Sequence, residues 1–116
     1  MSRPIARASI TILEGERVTP INAKDGRYRP HIVLGPPTQR TTLLKDGMPV
    51  EEYLGVTVTD GPESVTPGQT AEANLVLIYH PEVSYKGVRS GATFTIREGH
   101  KVVGYGTVLA RTEDHQ

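Results

Sequence analysis

At 116 residues with no cysteine, the chain is long enough for one domain that buries roughly two-thirds of its unfolded surface, and it can form neither a disulfide nor a thiolate metal site. Its 13 Lys/Arg balance 13 Asp/Glu, so net charge alone points to no anionic partner. No apolar run approaches the ~20 residues that cross a bilayer, and the opening MSRPIARASI lacks the apolar core of a signal peptide. A cytoplasmic protein with no membrane partner is expected. One Phe, five Tyr and no Trp leave Val, Ile and Leu to build the core.

The charge is unevenly spread. Residues 1–45 carry eight bases against three acids and residues 46–116 five bases against ten acids, which is +5 and −5. Such asymmetry either marks an anionic partner for the basic part or vanishes when the two segments pair in one barrel and their charges intermingle.

Along the chain the apolar period is two. Ala6, Ala8, Ile10 and Ile12 alternate with Arg7, Ser9 and Thr11, predicting a half-buried strand over residues 6–13. A short β-branched strand over 29–34 follows the Asp25-Gly26 turn signal. Leu54, Val56 and Val58 alternate with Gly55, Thr57 and Thr59. Over 69–79, Ala71, Ala73, Leu75, Leu77 and Tyr79 share one face. Residues 93–97 and 102–110 then read as a hairpin around Glu98 to Lys101.

The nine prolines and twelve glycines fall largely between these runs, where proline's missing N–H costs no ladder bond. No window shows a sustained 3.6-residue period, and only residues 50–53 leave room for a short helical turn. Six strands at this spacing predict one all-β domain over residues 1–116, with its core from about 6 to 112. The expected form is a closed six-stranded antiparallel β-barrel, since closure removes sticky edges. Its core should include Ile10, Ile12, Ile32, Val56, Val58, Leu75, Leu77, Phe94, Ile96, Val103 and Leu109. An inserted loop occupies about residues 35–53 and carries the exposed-looking Leu43, Leu44, Met48 and Tyr53.

Chemistry-bearing patterns are sparse. Nothing matches a phosphate-cradling G-x-x-x-x-G-K-[ST] loop, so no nucleotide is expected. Gly104-x-Gly106 lacks a third glycine and a following helix, and reads as a close-packing device in a bent strand. His31, His80, His100 and His115 have no partners at i+2 or i+4, so no metal is expected. Glu51-Glu52 and Glu113-Asp114 read as solvated acids, and no serine sits in a G-x-S-x-G word. Neither a cofactor nor catalysis is expected. An enzyme would need a pocket lined by converging titratable groups.

Four words in order carry a family resemblance. Gly15-Glu16-Arg17-Val18-Thr19-Pro20 is close to GGRHTP, and Tyr28-Arg29-Pro30 matches YRP. Pro67-Gly68 precedes a long alternating strand ending in Ile78-Tyr79-His80-Pro81, similar to LIHP or LIKP. FTIREGHKVVGYG, from Phe94 to Gly106, stands beside FAIREGGRTVGAG. Together, over about residues 9–108, they resemble the C-terminal, third β-barrel domain of bacterial elongation factor Tu. The nucleotide-binding domain and second barrel of that family have no counterpart here, so a GTPase is not expected.

The resemblance implies a non-catalytic stand-alone barrel that binds tRNA, another structured RNA or a translation-associated protein. In the family the domain helps grip the T-stem of aminoacyl-tRNA and touches the exchange factor and the nucleotide domain. The implied RNA- or partner-binding residues are Arg17, Arg29, Arg40, His80, Glu98 and Gly99, with arginines and a turn N–H meeting phosphate. The sequence departs from the family at Val18, where the family has His, and at His100, where it has a second Gly. Residues 35–52 are also longer and richer in proline. Two alternatives stay open: Arg29 pairs with a carboxylate such as Glu98 or Glu72, and the chain is a protein-interaction or decoy module recognising a toxin, effector or other protein through residues 35–53.

Overall fold

The computed structural model describes residues 3–113; the expectations for Asp114 and His115 lie outside the described residues. Nine strands follow in chain order: β1 Ile5–Ile12, β2 His31–Leu34, β3 Leu44–Lys45, β4 Met48–Pro49, β5 Leu54–Gly55, β6 Thr57–Thr59, β7 Thr70–Val76, β8 Thr93–Glu98 and β9 Lys101–Thr112. Seven form one antiparallel sheet in the order β5-β2-β8-β9-β1-β7-β6, while β3 and β4 form a separate hairpin.

The first and last strands of that sheet are neighbours in sequence, separated only by Val56. The sheet therefore curls into a nearly closed antiparallel barrel. The N–H groups of Val56 and Val58 donate to Pro30 O (3.1 Å) and Tyr28 O (3.0 Å) on one side, and Thr57, Val58 and Thr59 face Val76, Leu75 and Asn74 on the other. The expected count of six becomes seven because the single strand foreseen over 54–59 divides at Val56. No described residue is helical. The turn foreseen over 50–53 does not form, since the Val50 N–H instead donates to Leu43 O (3.2 Å) and extends the β3–β4 pairing.

The expected core is buried apart from Leu109, which is 42% exposed. Its displacement has a local cause. Gly104, Gly106 and Val108 take the inward places opposite Ile12, Ile10 and Ala8, so Leu109 falls on the outer side, where the passage from Ala8↔Val108 to Arg7↔Ala110 makes it the extra residue of a β-bulge. A second bulge, between Ile96↔Gly104 and Arg97↔Val102, makes Val103 the extra residue, and its carbonyl accepts from the Leu13 N–H at 2.9 Å. Tyr79, foreseen on one face with Leu75 and Leu77, leaves that face and is 52% exposed: β7 ends at Val76, and the Tyr79 ring comes to rest over Gly55, where an added Cβ would meet Cδ2 at 2.8 Å.

Gly104 and Gly106 face the interior opposite Ile12 and Ile96, and Ile10 and Phe94. A Cβ on Gly104 would meet the Thr11 carbonyl oxygen at 2.5 Å, and one on Gly106 would meet Phe94 Cζ at 2.6 Å and the Ser9 carbonyl closer still. The pair lets β9 coil against β1 while Phe94 fills the space that larger side chains would claim. Gly106→Ala is therefore expected to lower unfolding stability in urea by about 1–3 kcal/mol, the usual size of an overpacking cost.

Candidate functional site

Strand alternation puts Phe94 and Ile96 inside the barrel and Thr95 and Arg97 outside, yet all four are buried. What covers the outer face is the segment 35–53, which connects β2 to β5 and crosses back over β8. Arg97 is wholly buried, with its side chain 0% exposed against 4% for its partner Glu51. The pair is bidentate: Nη1 donates to Glu51 Oε1 at 2.7 Å and Nη2 to Oε2 at 3.0 Å. Arg97 Nε donates to Thr95 Oγ1 at 2.9 Å and Nη1 also reaches the Tyr53 hydroxyl at 3.1 Å. A planar guanidinium suits this fork, and a buried carboxylate needs such donors to remain charged.

Further contacts close the segment onto the barrel. The Gln39 side-chain amide donates to Glu51 Oε2, and the Thr42 hydroxyl donates to the His100 carbonyl. The Tyr53 ring lies edge-on between His31 and His100, with centroids 6.0 and 5.4 Å away. Arg97's hydrogen bonds hold the Glu51 carboxyl at about 2, against an ordinary 4.5, although burial pushes the other way and Gln39 adds to the lowering. The reading of Glu51 as a solvated acid is thereby corrected, and so is that of Tyr53 as an exposed anchor: it is half-buried.

Beyond this clasp the segment projects a hairpin. Asp46 and Gly47 have φ of 52° and 78°, the left-handed pair of a type I′ turn, between the cross-strand pairs Lys45↔Met48 and Leu44↔Pro49. Leu43, Leu44, Met48 and Val50 are 55%, 58%, 66% and 56% exposed. By register Leu43, Met48 and Val50 share one face and Leu44 the other. A cavity of about 220 Å³ lies beneath, walled by Val33, Leu34, Pro36 and Leu43, with Glu51 and Glu52 among its polar members.

A second cluster gathers at the β8–β9 turn. Arg17 Nε donates to Glu98 Oε2 at 2.6 Å, and its Nη1 donates to Thr19 O, Thr19 Oγ1 and Pro20 O at 2.6, 2.7 and 3.1 Å. The Tyr28 hydroxyl donates to the same Glu98 oxygen at 2.7 Å, while the Arg17 guanidinium lies 5.5 Å from the Tyr28 ring centre. Burial pushes the Tyr28 phenol up, and Glu98 raises it further. Gly99, at φ 62°, opens the tight turn, and a side chain at that position would meet open space.

The candidate residues therefore divide. Arg17, Glu98 and Gly99 meet at this turn, with Arg17 and Glu98 engaged mainly with each other and with the backbone. Arg29 runs alongside, since His31 pairs with Arg97; it is exposed, and its Nε donates only to Gly26 O at 3.4 Å. The expected pairing of Arg29 with Glu98 or Glu72 is replaced: Arg17 and Tyr28 hold Glu98, and Arg7 faces Glu72 at 3.7 Å. Arg40 is exposed, donates to Pro37 O and Gln39 O at 2.6 and 2.9 Å, and lies 5.2 Å from the Tyr105 ring centre. His80 stands apart, in the turn after β7, and its side chain has no hydrogen-bond partner among the described residues. The same residues hold no group of three potential metal ligands and no helix long and apolar enough to cross a membrane.

Comparison with protein-family models finds none that matches the chain, and comparison with curated proteins finds no match either. Sequence reasoning passed over Arg97 and Gln39, read Glu51 as a solvated acid, and met His100 only as a departure from the family. Alternation with Phe94 and Ile96 puts Arg97 on the outer face, but nothing local names a partner 46 residues earlier.

A carboxyl whose pKa is depressed on folding adds stability above its unfolded value and loses it as pH falls through its folded one. The Glu51 contribution is thus expected to be full above about 4.5 and to fade toward about 2. Urea unfolding followed from pH 6 to 2 should show a shallower acid loss in Glu51→Gln than in the parent chain.

Proposed function

We infer that the chain is a non-catalytic binding barrel of the elongation factor Tu third-domain type, six-stranded and closed when β5 and β6 are counted together, which engages a partner protein through the tip of residues 35–53. The observation that supports this most is the hairpin itself: four large apolar side chains, each more than half exposed, on a segment tied to the barrel by a buried ion pair. Leu43, Met48 and Val50 share one face and Leu44 caps the other; clustered exposed apolar side chains mark contact sites, and a segment already fixed in place loses little conformational freedom on binding. The partner is a protein surface offering an apolar groove, such as a translation-associated protein or a toxin or effector. Binding in the cytoplasm, without nucleotide, cofactor or membrane, completes the reading.

A second reading, contact with tRNA or another structured RNA, draws on the exposed Arg29 beside the β8–β9 turn and on Lys24 and Arg27, exposed in the segment leading to it. It is the weaker of the two because the Arg17 guanidinium is engaged by Glu98, Thr19 and Pro20, so meeting a phosphate would break bonds already made.

Capture from host lysate with and without nuclease separates these readings. The parent chain is expected to retain a protein that survives nuclease and a several-fold rise in salt, and Leu44→Ser/Met48→Ser is expected to lose it. Retention of tRNA-sized RNA by both chains, weakened by Arg29→Ala and falling by roughly an order of magnitude with that rise in salt, would replace the protein reading with the RNA one.

A further inference from the structure

The Arg97–Glu51 pair joins the barrel wall to the segment that carries the exposed hairpin, and every polar atom in it is satisfied. Arg97 uses Nε, Nη1 and Nη2 on Thr95, Tyr53 and Glu51, and Glu51 also accepts from Gln39. No buried side-chain nitrogen or oxygen among the described residues lacks a partner. Further ties join the segment to the barrel: the Thr42 hydroxyl reaches the His100 carbonyl, the Tyr53 hydroxyl lies 3.2 Å from His100 Nδ1, and at the start of the segment Gly35 donates its N–H to Thr93 O at 3.0 Å while its carbonyl accepts from Thr93 Oγ1 at 2.8 Å. The hairpin rests on two-residue strands, too short to persist without support. Something outside it must hold its orientation, and the bidentate fork, with its two side chains 0% and 4% exposed, is a deeply buried connection that does so.

We propose that Arg97 and Glu51 are positioning residues for the contact surface. Their pair fixes residues 39–53 against β8 so that Leu43, Leu44, Met48 and Val50 are displayed in one arrangement, while neither residue touches the partner. This rests on the reading of the hairpin as the contact element. A pair this deeply buried is screened little by salt, so display of the hairpin is independent of ionic strength even where partner encounter is not.

Amide hydrogen exchange of the full chain, read by mass spectrometry, tests the local part without a partner. In Glu51→Gln, exchange across residues 39–53 is expected to quicken at least about tenfold while β1 and β9 keep their protection, the pattern of a local opening. Gln39→Ala, which leaves the barrel wall untouched, should give a smaller acceleration over the same stretch. Unchanged exchange over 39–53 in both variants, or equal loss across the whole barrel in both, would overturn the proposal: either the pair does not hold the segment or it acts only on global stability.

Lysate capture tests the remainder, taking as probe the protein that the parent chain retains and Leu44→Ser/Met48→Ser loses. Weaker retention by Glu51→Gln supports positioning. Full retention by a Glu51→Gln chain whose segment has loosened overturns it. If no protein distinguishes the parent from Leu44→Ser/Met48→Ser, the contact reading fails, and the positioning role falls with it even where the exchange result stands.

Discussion

A guanidinium fully withdrawn from water, facing a carboxylate nearly as buried, is the constraint from which the outer architecture follows. Desolvating two charges is expensive, and their attraction repays it only with near-ideal geometry and no donor left over. Arg97 and Glu51 come close to both conditions, with two parallel bonds and with Thr95, Tyr53 and Gln39 as further partners, so that every nitrogen of the guanidinium and both carboxylate oxygens are engaged. Such a pair is weak as a source of net stability and strong as a selector of one arrangement. Here the arrangement selected is the path of residues 35–53 across β8, which in turn buries Val33 and Thr95 on a face the strand pattern marks as outward.

The barrel beneath depends on backbone closeness more than on bulk. With one Phe and no Trp, a small interior is filled by aliphatic side chains around Phe94, and Gly104 and Gly106 let β9 approach the β1 backbone closely. Two bulges in β9 bend it further, one at Val103 and one at Leu109. The lopsided charge of the sequence is partly resolved by this wrapping: Arg7 faces Glu72 and Arg17 binds Glu98, each joining the basic third of the chain to the acidic remainder. Arg3, Lys24, Arg27, Arg29, Arg40 and Lys45 stay exposed, and of these Arg27 pairs with Asp25 at 3.0 Å.

Much of the barrel was legible because period-two alternation is a local property. Ala6 through Ile12, Leu54 through Val58 and Phe94 with Ile96 fall inside as their spacing requires, and Gly104-x-Gly106 packs closely as a pair lacking phosphate-loop context should. The failures are non-local or depend on a single residue of register. Leu109 was misplaced because the bulge residue Val103 shifts the phase of every inward and outward assignment beyond it, and Tyr79 because β7 stops before the alternation does. Less of the candidate site was legible. Leu43, Leu44 and Met48 stand exposed as their loop setting suggested, but Glu51 resembles any loop acid and Arg97 any outward strand residue. Only the fold, bringing 51 and 97 together, shows that both are buried, and only it shows that Arg17 spends its donors within the chain.

The most direct test of the central constraint is a double-mutant cycle on the pair, using Arg97→Met, Glu51→Gln and the two combined, with unfolding free energies from urea titration near pH 7. A buried, bidentate and fully satisfied pair should give a coupling of about 2 kcal/mol or more. A coupling of about 0.5 kcal/mol or less, the range of exposed surface pairs, would contradict it and leave the path of residues 35–53 without its anchor.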